Sequence, residues 1–189
     1  MKEQGTIFIS CGIFQEELRH LAQEGLFGEK IIFLDAALHV NFDKLKAQLE
    51  QALAQAKETG AAMKVIYGHC HPGMIDILDH FGAKKIEAGN CIEAFVGKEE
   101  IARLDAEAKT FFLTAGWVNN YEKIFSAGRE DFGFDFSSMF EHYKRVIVFD
   151  TGVIPIDEEK VEKFSKFTCL PVQRRAITLK RLLALIEEI

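Results

Sequence analysis

Apolar runs rich in β-branched and aromatic residues alternate along the chain with stretches of helical period, the pattern of βαβ units wound around a parallel sheet. Strands are predicted over residues 6–10, 30–34, 63–67, 84–88, 110–113, 145–149 and 172–177. Between about residues 41 and 57, Phe42, Leu45, Leu49, Leu53 and Ala56 recur at intervals of three and four, so one helical face is apolar and docks on the sheet. Leu179, Leu182, Leu183 and Ile186 repeat the device in the last helix. Residues 125–143 are less regular: Phe132, Phe134, Phe136 and Phe140 surround Gly128 and Gly133. This stretch reads as an aromatic plug on the core, with a broken helix or lid as the alternative. The expected fold class is α/β, a doubly wound, mostly parallel sheet with helices on both faces, in one domain spanning residues 1–189.

Composition supports one compact unit. A chain of 189 residues with 48% hydrophobic residues and 17 Phe has enough apolar surface for a core without covalent staples. It lacks the Gly/Pro/Ser clusters of a flexible linker. A net charge of −6, with basic residues only in short pairs such as Arg174–Arg175 and Lys180–Arg181, argues against a nucleic-acid partner. Residues 1–5 show no basic segment leading into an apolar stretch, and no window approaches the ~20 apolar residues that span a bilayer. The expectation is a cytoplasmic protein without a membrane partner. In that setting the four cysteines, Cys11, Cys70, Cys91 and Cys169, point to metal binding or thiol chemistry rather than to disulfides.

In a parallel sheet the loops that follow strands gather on one edge, where ligands bind. Cys11 follows the first predicted strand, His69, Cys70 and His71 follow the third, and Cys91 follows the fourth. His39, a few residues beyond the second strand, belongs to the same rim. Cys169 precedes a strand and is placed at the opposite edge. Cys11 and Cys91 also stand where helices are expected to begin, a position whose dipole and free N–H groups favour a thiolate. Each cysteine alone reads as a small buried hydrophobe. Three on one rim point to a metal or redox function, with zinc as the leading cofactor and an iron–sulfur cluster as the alternative. No close C-x-x-C pair is present. If the chain stays extended after Tyr67, His69 and His71 share the side opposite Cys70 and do not join it as ligands. His20, His80 and His142 fall on predicted helices, in solvated or structural roles. The Thr-Ala-Gly-Trp segment at 114–117 and Asp-Thr-Gly at 150–152 also follow strands. Trp117 is a candidate apolar wall of a binding pocket and Asp150 a candidate acceptor behind it, against plain turn chemistry as the alternative. No G-x-G-x-x-G, P-loop or G-x-S-x-G motif occurs.

Several of these segments carry a resemblance. Cys11-Gly12, Leu38-His39, the Tyr-Gly-His-Cys run from Tyr67 to Cys70, Asn90-Cys91-Ile92 with Gly97, and Thr-Ala-Gly-Trp from Thr114 to Trp117 resemble the domain-of-unknown-function family numbered 1638. Phe42 departs from the proline expected after Leu-His, and His71 stands where glycine is commoner. The resemblance implies an origin in anaerobic bacteria or archaea and an association with corrinoid-dependent methyl transfer. The chain has no Asp-x-His-x-x-Gly corrinoid signature, so the resemblance implies a partner enzyme or accessory of a corrinoid protein. The expected activity is metal binding by three cysteines that activates the thiol of a small-molecule substrate for methyl transfer. An iron–sulfur redox protein and a non-catalytic accessory are the alternatives.

Overall fold

The computed structural model describes residues 5–28, 30–136 and 138–189. Residues 1–4, read above for a targeting segment, lie outside the described residues. The apolar runs become seven strands, all paired in parallel. Strands β1 (Thr6–Cys11), β2 (Ile31–Leu34), β3 (Ala62–Ile66) and β4 (Lys84–Lys85) form one sheet in the order β2-β1-β3-β4. Strands β5 (Thr110–Thr114), β6 (Arg145–Asp150) and β7 (Val172–Ala176) form a second in the order β5-β6-β7. The α/β class, with helices flanking parallel strands, is the one the alternating pattern predicts; the strands are divided between two sheets. The fourth strand is shorter than its apolar sequence suggests. After Ile86 N–H bonds to the Val65 carbonyl, Ala88 N–H turns back onto the Ile86 carbonyl at 3.0 Å, which bends the chain out of the sheet.

The central strands are buried on both faces. In β6, Val146 and Val148 face one hydrophobic cluster while Ile147 and Phe149 face another that includes Ile92 and Leu104. The larger cluster draws on both sheets, from Ile7 and Val65 to Val146 and Leu182. Among the described residues eight α-helices flank them: α1 (Gln15–Gln23), α2 (Phe42–Glu58), α3 (Met74–Phe81), α4 (Cys91–Val96), α5 (Lys98–Glu107), α6 (Ala115–Phe132), α7 (Glu158–Thr168) and α8 (Lys180–Glu187). In α2 the periodic residues Leu45, Leu49, Leu53 and Ala56 are buried as expected, while Phe42 at its first turn is exposed. Asn41 caps that helix by accepting from Lys44 N–H at 3.1 Å. Its amide also donates to Asp131 at the far end of α6, which Lys44 holds in a 2.7 Å ion pair.

Helix α6 runs unbroken to Phe132, and the aromatic segment after it folds back. Phe136 stacks on Phe125 at 4.4 Å, and buried Phe140 packs edge-on against Phe111 and Phe164. These two act as the expected plug, whereas Phe132 and Phe134 stack on one another at the surface. His142 sits in a turn rather than on a helix. Among the described residues no helix is long and apolar enough to cross a membrane.

Candidate functional site

In the first sheet the chain runs from β1 out to β2 and then crosses back to β3. The strand order therefore reverses at β1/β3, the place where doubly wound sheets open a crevice beyond the strand ends. Cys11 is the last residue of β1. It stands one step past the Ser10↔Ile66 register pair, which sets it beside Tyr67, the first residue after β3. Cys70 follows three residues later. Cys91 opens α4, where Asn90 caps the helix by accepting from Glu93 N–H at 2.9 Å.

Two glycines make the approach of these segments possible. A Cβ on Gly68 would lie 2.5 Å from Asn90 Cα and 2.6 Å from the Gly89 carbonyl oxygen. The loop carrying Cys70 and the loop carrying Cys91 therefore touch backbone to backbone, joined by His69 N–H donating to the Gly89 carbonyl at 2.8 Å. A Cβ on Gly116 would lie 2.2 Å from the Ile13 carbonyl oxygen, so the first turn of α6 rests directly on the turn after Cys11. That seat brings Trp117 to the site. Thr114 caps α6 by accepting from Trp117 N–H at 3.3 Å, and the indole Nε1–H donates to Cys91 Sγ at 3.1 Å.

Burial keeps the Tyr67 phenol protonated, and Cys11, Cys70 and Cys91 all lie near enough to add to that effect. Burial pushes the Cys11 thiol up to about 11, with the neighbouring Cys70 adding to the effect. Burial, then the proximity of Cys11, raises Cys91 as well, even though that residue keeps part of its surface in contact with solvent. Burial raises Cys70, countered in part by Lys85. The expectation that helix starts favour the thiolate at Cys11 and Cys91 is therefore overturned. Backbone groups of Ile13 and Ile92 and the Trp117 indole do favour the charged sulfurs, but desolvation outweighs them.

Two further residues belong to the site: Tyr67, which the sequence showed only as part of the Tyr-Gly-His-Cys run, and Lys85, which it did not mark. The Tyr67 hydroxyl neighbours Cys11 yet has no well-formed hydrogen bond, and it is fully buried. Lys85, on β4, is buried, donates from Nζ to the Ile86 carbonyl at 2.5 Å, and has its charged form disfavoured by burial. A lysine in a two-residue edge strand reads as a solvated side chain; its closeness to Cys70 is a tertiary fact.

His39 lies on the same rim. Its Nδ1 is 2.7 Å from the Ala36 carbonyl oxygen, which can only accept, so Nδ1 carries the proton and Nε2 keeps its lone pair. Burial holds the ring below the usual histidine range, which favours this neutral form. Its ring meets Trp117 edge-on at 5.0 Å. His71 uses Nδ1 to accept from Gly73 N–H at 2.9 Å, and His69 is exposed. Asp150 closes a turn by accepting from Gly152 N–H at 2.8 Å, at the end of the second sheet; its carboxylate engages none of the thiols. Cys169 is exposed and caps the C-terminus of α7 in the left-handed conformation, φ 57°. Among the described residues no three histidine, cysteine or acidic side chains stand as a preformed metal-ligand group.

Fold and site together define a parallel α/β protein whose thiols gather at the strand-order reversal of its first sheet. The chain belongs to the family described as "Protein of unknown function (DUF1638)", whose profile matches residues 33–186. Cys70, Cys91, His39, Trp117 and Asp150 fall inside the matched segment and Cys11 falls before it. No curated protein and no solved structure gives a significant match.

Proposed function

We propose that the chain binds one soft metal ion, zinc in the first instance, through the thiolates of Cys11, Cys70 and Cys91. The observation that carries this reading is that three cysteines, from the end of β1, the loop after β3 and the start of α4, lie within electrostatic reach of one buried phenol. Three desolvated thiols whose charged forms are disfavoured are poorly suited to free thiolate chemistry. They suit a cation that neutralises them. The donors already aimed at sulfur, Trp117 Nε1–H and the backbone groups of Ile13 and Ile92, are of the kind that orient metal-bound thiolates. The unpartnered Tyr67 hydroxyl has a role in the same arrangement, as a donor to a bound sulfur or to a ligand on the metal. Because the ligand group is not preformed, the reading requires the segments that carry the three sulfurs to close on the ion.

His39 and Trp117 flank these thiols, and His39 Nε2, with Nδ1 engaged by Ala36, would either complete the ligand set or accept a proton from a substrate thiol. The metal, when bound, would supply a lowered thiol pKa, the property required by methyl transfer to sulfur, which the family resemblance makes the expected activity.

Cobalt(II) substitution tests the ligand set. Added anaerobically to the reduced chain, cobalt is expected to give thiolate-to-metal absorption that saturates at about one equivalent and is abolished by zinc. Cys70→Ser and Cys91→Ser should each lower its intensity. Absence of that absorption, or its full retention in both variants, contradicts the proposal. A brown, iron-containing protein on anaerobic purification would replace zinc with an iron–sulfur cluster on the same ligands.

A further inference from the structure

Behind Cys91 and His39 a cavity of about 420 Å³ opens between α4, α5, β5, α6 and the segment that returns after α6. Its inner end is formed by His39, Cys91 and Trp117, held together by the 3.1 Å Nε1–H···S bond and the 5.0 Å ring contact. Its walls come from the aromatic residues of β5 and α6, chiefly Phe111 and Phe125, and Phe136 from the returning segment lies stacked on Phe125 as a flap. No lining residue is acidic, a lysine or an arginine, and the one imidazole, His39, has its Nδ1 engaged by the Ala36 carbonyl. The contrast with the neighbouring cavity is sharp. That space, about 540 Å³ beyond β1 and β2, is lined by Glu16, Asp35 and Lys123 and by the amides of Asn119 and Asn120.

A charged ligand entering the first cavity would lose hydration and find no counter-charge among the lining side chains. A neutral ligand would exchange water for aromatic walls and gain from the apolar surface buried. The volume is in the range of small-molecule sites. We infer that this cavity binds a neutral, largely apolar small molecule whose reactive end reaches Cys91 and His39. The inference rests on the metal reading for what that end meets, but the binding itself does not need the metal.

Trp117 is the single tryptophan of the chain, so its emission reports on the cavity's inner wall without interference. The probe is N-phenyl-1-naphthylamine, neutral and apolar, titrated into the full-length reduced protein while Trp117 emission is followed. Saturable quenching at about one probe per chain is expected, and the anionic analogue 8-anilinonaphthalene-1-sulfonate should bind at least ten-fold more weakly. Val40→Phe and Ile101→Phe, each adding bulk to the cavity lining, should each weaken the probe at least ten-fold with the circular dichroism of the parent. Absence of saturable quenching in the wild type overturns the inference even if neither variant folds. So does an anionic analogue that binds as well as the neutral probe, or unchanged affinity in a folded variant. Cys70 lies outside the cavity lining, so Cys70→Ser should keep the wild-type probe affinity whether or not it loses metal, and the two readings fail separately.

Discussion

Gly68→Ala places a methyl group where the structure has backbone. The new Cβ would sit 2.5 Å from Asn90 Cα, 2.6 Å from Gly89 O and 2.8 Å from Asn90 N, all main-chain atoms that cannot rotate away. Ordinary contact begins near 3.4 Å, so the Cys70 loop and the Cys91 loop must part by about 1 Å. The φ at Gly68 is not in the left-handed region, so the cost is steric rather than conformational. Overpacking of this kind costs about 1–3 kcal/mol. The His69 N–H to Gly89 carbonyl bond, 2.8 Å in the structure, stretches out of range and adds about 1 kcal/mol. The expected destabilisation is therefore about 2–4 kcal/mol. Urea unfolding followed by circular dichroism should show the midpoint falling by on the order of 1–2 M with the slope unchanged. Cobalt affinity should drop at least ten-fold, because the displaced loops carry two of the three sulfurs. Gly5→Ala, with nothing within 4 Å, is the matched control and should stay within about 0.5 kcal/mol of the parent. Wild-type stability and wild-type cobalt uptake in Gly68→Ala would refute the claim that these loops meet backbone to backbone.

Other expectations follow from single features of the structure. Trp117→Phe removes the Nε1–H donor to Cys91 and should weaken cobalt binding about ten-fold while costing under about 1.5 kcal/mol of stability, read by the same cobalt and urea titrations. Glu17 is fully buried beside Thr151 with one carboxylate oxygen unpartnered, and burial lifts it from 4.5 to about 7. The folded state therefore binds its proton more tightly than the unfolded chain does. Its stabilising effect is fully present below about pH 4.5 and is lost as pH rises through about 7, a change of on the order of 3 kcal/mol. Glu17→Gln should flatten the stability profile across that window; an unchanged profile would locate the pH dependence elsewhere. Cys169→Ser should leave metal content intact. Cys169→Gly, which suits the left-handed cap, should raise stability by up to about 1 kcal/mol in thermal unfolding, and a loss of metal in either variant would contradict the ligand assignment.

The parallel α/β class was legible because β1 and β6 are buried on both faces and read as unbroken apolar runs, while α2 shows its period of three and four. The position of Cys11, Cys70 and Cys91 after the first, third and fourth strands was legible for the same reason: parallel strand direction sends the segments that follow to one edge. The division into two sheets was not, because it depends on β4 bending away after Lys85 through a turn at Ala88 that composition does not mark. Nor was the balance of forces on the thiols. Helix starts are visible in sequence, whereas the desolvation that outweighs them at Cys11 and Cys91 depends on what packs above the sheet. Tyr67 lay within a quoted motif, but its role becomes visible only when the register of β1 and β3 places it beside Cys11.

Metal content measured on protein purified without oxygen and without added chelator tests the central claim most directly, alongside titration of accessible thiols under denaturing and native conditions. Close to one equivalent of zinc or a comparable soft metal per chain is expected. One freely titrating thiol, Cys169, is expected in the native state and four after unfolding with chelator. Cys70→Ser should lower metal content markedly under the same protocol. Less than about half an equivalent of any transition metal in the wild type, with Cys11, Cys70 and Cys91 titrating on unfolding at the same rate with and without chelator, would contradict that claim.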